Sequence, residues 1–215
     1  MAKKSRRRPV RDEVRSRRQA KKRQQNLLFI GFGVALVALI GLVVYVNISG
    51  SAPVTGEESF ASQGNSHIDF GSASPIEYNS TPPTSGPHYS GIAAWRVYNP
   101  YREVEPDEPV RYEQLVHNLE DGGVVIYYQC EEACPELVAQ LEEVASPYIR
   151  AGRHVAVAPN DPNWTRNNSQ PLHKDMNALI AATAWQKLLT LDEFDADMLR
   201  TFIDRYEGID HHRPS

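Results

Sequence analysis

The chain has 215 residues, 41% of them hydrophobic, and two cysteines: enough for one core of ordinary size, too few thiols for a small disulfide-framework fold. The net charge of -4 hides a split. Residues 1–26 hold twelve of the 23 Lys and Arg but two of the 27 Asp and Glu, so the remainder carries a formal charge of -14 and the two parts suit different environments.

Residues 27–46, LLFIGFGVALVALIGLVVYV, contain no charge. As a helix rising 1.5 Å per residue, twenty residues span roughly 30 Å, the hydrocarbon thickness of a bilayer. Apolar side chains fill every face, which predicts a transmembrane helix rather than an amphipathic surface one. A cleaved signal peptide has a shorter core, of about 7–15 residues. Lys and Arg beside a span stay on the cytoplasmic side, so the basic tail is expected inside and the rest outside the plasma membrane. The bilayer then accounts for the basic tail, and no nucleic acid is expected as a partner.

Residues 47–65 are rich in Ser, Gly and Ala and read as a flexible tether. The outer domain is placed at 66–207, followed by a polar tail at 208–215. From 67 to 109 seven prolines forbid long helices, while Tyr78, Tyr89, Trp95, Tyr98 and Tyr101 imply packing onto a surface. Beyond that, GVVIYYQ at 123–129 predicts a buried strand, 135–148 a helix opened by Pro135, and HVAVA at 154–158 a second strand. ALIAATAW at 178–185 is a third strand candidate, and 195–206 a C-terminal amphipathic helix. The expected fold class is α+β: a mixed-sheet sandwich in the order strand, helix, strand, strand, helix, preceded by one transmembrane helix.

Two stretches stand out as carriers of chemistry. TPPTSGPHY at 81–89 is a proline-stiffened loop ending in His88 and Tyr89. VHNLEDGG at 116–123 reads as a second loop, in which Gly122 and Gly123 permit positive φ or close backbone approach and deliver His117 and Asp121 beside the strand. Cys130 and Cys134, on the oxidising side, are expected to form a disulfide pinning the turn after the first strand; a C-x-x-C redox spacing is absent.

These stretches resemble a bacterial domain-of-unknown-function family, the one numbered 3105. Its signatures, TSGPHY and HNLEHGGV, stand here at 84–89 and 117–124; the ELV, AP and TAW stretches that follow stand at 136–138, 158–159 and 183–185. The resemblance covers roughly 67–206 and implies a membrane-anchored or exported protein of no established activity. Asp121 stands where the family has its second HNLEHGG histidine, so that histidine pair is not available. Met176 precedes TAW where the family often carries a methionine.

Imidazole is the commonest transition-metal ligand and a thioether adds softness. His88, His117 and Met176 together would therefore suit copper, with Asp121 broadening the set toward Zn or Cu(II). Two other readings stand beside this one. His88 and His117 could be buried and bonded to backbone in a non-catalytic structural or envelope-interaction module. A hydrolase using Ser85, His88 and Asp121 is the third, but neither a GxSxG elbow nor a phosphate-binding glycine loop is present, so no enzyme is expected.

Overall fold

The computed structural model describes residues 17, 29, 31, 33, 34, 36–40, 53–165 and 171–212. The chain divides into two compact units, Met1–Ala52 and Pro53–Ser215. In the first, the described residues are helical. Much of the expected span at 27–46 lies outside the described residues, and among those described no helix is long and apolar enough to cross a membrane.

The second unit is α+β, built on a five-stranded mixed sheet. Its strands are β1 (Glu57–Ser59), β4 (Val124–Tyr128), β5 (Val155–Pro159), β6 (Ile180–Ala184) and β7 (Lys187–Leu191), in the order β1-β7-β6-β4-β5. Two short strands, β2 (His67–Ile68) and β3 (His88–Tyr89), form a separate parallel pair. The helices of this unit are α1 (Tyr112–Glu120), α2 (Pro135–Arg150) and α3 (Ala196–Tyr206).

Strands β4 and β5 pair in parallel with α2 as their crossover, and β6 returns antiparallel to β4, which makes the sheet mixed, as expected from the element order. β4 is buried on both faces, and its alternation splits the core in two. Val124, Ile126 and Tyr128 join Leu141 of α2 and Phe202 of α3 on one face. Val125 and Tyr127 join Leu115, Val116 and Leu119 of α1 on the other, with Tyr78, Trp95 and Tyr98 of the proline-rich stretch packed alongside. The outer edge of β5 is covered by residues 96–98: Tyr98 N donates to Val157 O and Val157 N to Arg96 O. Cys130 and Cys134 are disulfide-bonded, with Cα atoms 6.4 Å apart, between β4 and α2.

Four features differ from the sequence reading. The stretch 116–121, expected as a loop, closes helix α1, because Tyr112, Leu115, Val116 and Leu119 make one apolar stripe. The glycine pair ends it: Gly122 N donates to Leu119 O and Gly123 N to Asn118 O, the double bond pattern of a Schellman cap. β7 is a fourth strand after α1, joined to β6 by the two-residue turn Trp185–Gln186, and β1 comes from the stretch read as tether. Finally, the tail beyond Tyr206 folds back, with Gly208 N on Gly122 O and His211 N on Glu120 O.

Candidate metal centre

The parallel register of β2 and β3 sets His67 opposite His88. The loop before β3 is tightly held. Gly86, at φ +124°, donates its N–H to Gly64 O, and a Cβ there would lie 2.9 Å from the Tyr78 ring. Tyr78 Oη donates to Pro87 O at 2.6 Å, and His88 N donates to Ser66 O. Helix α1 runs beside β3 and presents His117 and Glu120, three residues apart and so on one face.

The four side chains converge. The His88 ring lies 5.1 Å from that of His67 and 5.0 Å from that of His117, and the His67 and His117 rings are nearly parallel at 5.3 Å. One ligand atom from each of His67, His88, His117 and Glu120 falls within 4.8 Å of all the others. Two ligands of one ion bound at about 2.1 Å sit roughly 3.4 Å apart in a tetrahedral shell, so the set must close by up to about 1.4 Å to hold one.

Hydrogen bonds fix which atoms face inward. His88 Nδ1 lies 2.8 Å from Gly86 O and His117 Nδ1 2.7 Å from Tyr89 O. A carbonyl only accepts, so both Nδ1 atoms carry the proton and both Nε2 atoms present a lone pair. Burial pushes the His88 pKa below its ordinary value, which favours the neutral ring. Glu120 gives Oε1 to the Asn65 amide, while its Oε2 lies 3.0 Å from His88 Nε2. These last two atoms have no hydrogen-bond partner, on residues 0% and 1% exposed. Their closeness is an approach of charge and lone pair without the alignment of a hydrogen bond, and buried polar atoms left so are rare.

An outer group adjoins the site. Asp121 Oδ1 lies 3.6 Å from His117 Nε2 and 3.5 Å from His212 Nδ1, and His212 Nε2 lies 3.6 Å from Glu120 Oε2. The Asp210 carboxylate accepts from His212 Nδ1 at 2.9 Å and raises the His212 pKa. The neighbouring His211 ring stacks on Trp185 at 5.9 Å.

Of the residues singled out from sequence, His88 and His117 meet, Asp121 lies at the rim, and Tyr89 contributes its carbonyl. Met176 is elsewhere: it is buried among the second core cluster, and its N–H donates to Gln129. The carbonyl of nearby Lys174 meets Tyr112, at the opposite end of α1 from Glu120. Neither ring nitrogen of His88 serves Ser85, whose Oγ instead accepts from Gln63 N. His67 and Glu120 were not singled out from sequence. Glu120 had a signal in its i, i+3 spacing from His117, visible only once 112–120 is read as helix; His67 had none, since its place depends on strand register.

A family model described as Protein of unknown function (DUF3105) matches residues 70–215. No curated protein and no solved structure matches the chain.

Proposed function

The chain belongs to the DUF3105 family of proteins of unknown function, and we propose that it is a membrane-anchored, extracytoplasmic domain that binds one divalent transition-metal ion through His67, His88, His117 and Glu120. The observation that carries this reading is the buried pair His88 Nε2 and Glu120 Oε2, 3.0 Å apart and each without a hydrogen-bond partner. An ion coordinated by both would satisfy both. The carbonyls on His88 Nδ1 and His117 Nδ1 are the outer contacts that orient metal-binding imidazoles. Of these ligands, His88, His117 and Glu120 lie inside the family match and His67 just before it.

Three imidazoles and a carboxylate suit Zn(II) or Cu(II). With Met176 packed elsewhere, the thioether argument for Cu(I) falls away. Four protein ligands fill a tetrahedral shell and leave no open position for substrate, so the site supports binding rather than catalysis. X-ray absorption of the metal-loaded chain tests this: three nitrogen neighbours and one oxygen at about 2.0–2.2 Å are expected, and a sulfur neighbour at about 2.3 Å contradicts the ligand set.

Anchoring rests on the uncharged stretch 27–46 and the basic tail before it. The described apolar side chains there support it: Phe29 is 76% and Val37 70% exposed, as suits side chains that face lipid.

A second reading has its own support. His117 Nδ1 to Tyr89 O ties α1 to β3, so the histidines also brace the fold. Bracing accounts for the Nδ1 atoms; it leaves the His88 Nε2 and Glu120 Oε2 pair unexplained.

A further inference from the structure

Taking the metal-binding reading as its premise, we infer that Asp121, Asp210 and His212 form an entry site, which captures the divalent ion and hands it to the buried set through His117.

The argument starts from one nitrogen. His117 Nδ1 is held by the Tyr89 carbonyl, so Nε2 is the only lone pair this ring offers. Yet His117 belongs to two groups whose ligand atoms lie within 4.8 Å of one another: the buried set, and an outer set with Asp121 and His212. One lone pair cannot serve two ions. The sets therefore exclude each other in use of His117, and an ion held outside must change partners to move inside.

The surroundings favour that exchange. Glu120 Oε2 stands between the sets, 3.0 Å from His88 Nε2 and 3.6 Å from His212 Nε2. Asp210 accepts a hydrogen bond from His212 Nδ1 and leaves the Nε2 lone pair aimed at Glu120. Exposure falls along the path, from 68% at the Asp210 side chain and 46% at His212 to 0% at His88. The arm is placed rather than loose, because His211 N donates to Glu120 O and the Ile209 backbone crosses Gly122. In the transfer, bonds from the ion to His212, Asp121 and a water break as bonds to His67, His88 and Glu120 form, while His117 Nε2 stays bound. The ion keeps its charge, and no electron is exchanged.

Stopped-flow loading of the full chain in detergent with Cu(II), followed by tryptophan quenching, tests the inference. The wild type should bind one ion in two phases, a capture whose rate rises with Cu(II) and a transfer whose rate does not. His212→Ala should still reach one ion per chain but load about tenfold more slowly, as expected when the capture set loses a ligand. His88→Ala should keep the capture phase and lose the transfer. An unchanged loading rate in His212→Ala overturns the entry site, as does simultaneous binding of two ions by the wild type. Tight one-ion binding retained in His88→Ala overturns the buried site instead, so the two failures are distinguishable.

Discussion

His67 and His88 lie directly opposite each other in the parallel pair β2–β3, and this register alone brings their rings to 5.1 Å. His88 then meets His117 because α1 lies against β3. The candidate site is thus a junction of three segments, held by backbone hydrogen bonds at β3 and at the end of α1 and by the His117 Nδ1 bond to Tyr89 O between them. Removing the His67 or His88 imidazole should leave that tie in place, which makes the site testable by substitution.

Gly122→Ala should loosen the C-terminal arm. Gly122 sits at φ +77°, and an added Cβ would lie 2.8 Å from the Ile209 carbonyl carbon. Strain at this cap should cost about 1–3 kcal/mol, since a left-handed position and a backbone clash coincide. Chemical denaturation would measure the loss, and faster amide exchange at His211, whose N–H meets Glu120 O, would show that the arm has come away. An unchanged stability and exchange rate would contradict this.

His173 predicts an acid-side loss of stability. It is 2% exposed, with its Nδ1 accepting from Asp161 N and its Nε2 donating to Val110 O. Burial pushes its pKa from the ordinary 6.5 down to about 4. Between these values the unfolded chain binds a proton that the native ring refuses. The contribution is therefore fully present above about pH 6.5 and is lost as pH falls toward 4, by roughly 3 kcal/mol in all. Denaturation free energies measured from pH 7 to pH 4 should fall more steeply for the wild type than for His173→Gln; equal slopes would refute the assignment.

The parts legible in the sequence were those with local signals. β4, β5, β6, α2 and α3 follow from periodicity and Pro135, and the disulfide from two cysteines expected on an oxidising side. The parts that escaped lack such signals. Arg111, the residue before helix α1, makes no side-chain cap, so the helix beginning is unmarked. The β6–β7 turn places Gln186 at φ 64°, where a glycine or asparagine would have announced a hairpin. β1 pairs with β7 across 130 residues, as Glu57 meets Lys187 in an ion pair, and no local pattern encodes that. Half of the site was legible for the same reason: His88 and His117 sit in motifs, whereas His67 and Glu120 come from register and helix phase. Met176 was suggested by resemblance, not by geometry.

Topology is tested with a reporter fused after Ser215. The charge asymmetry around 27–46 predicts activity for a reporter that works only after export. Activity of a reporter that works only in the cytoplasm would reverse the orientation and remove the oxidising environment invoked for Cys130 and Cys134.

The most direct measurement is metal content. The purified full chain should be dialysed against Zn(II) or Cu(II) and its bound ion counted, beside His88→Ala/His117→Ala with its fold checked by circular dichroism. The account predicts about one ion per wild-type chain, none in the folded double variant, and a metal-dependent rise in wild-type melting temperature equivalent to about 2.7 kcal/mol at a hundredfold excess over Kd. A wild type that takes up no ion, or a folded double variant that still binds one, would contradict it; a double variant that unfolds would favour the bracing role of the histidines instead.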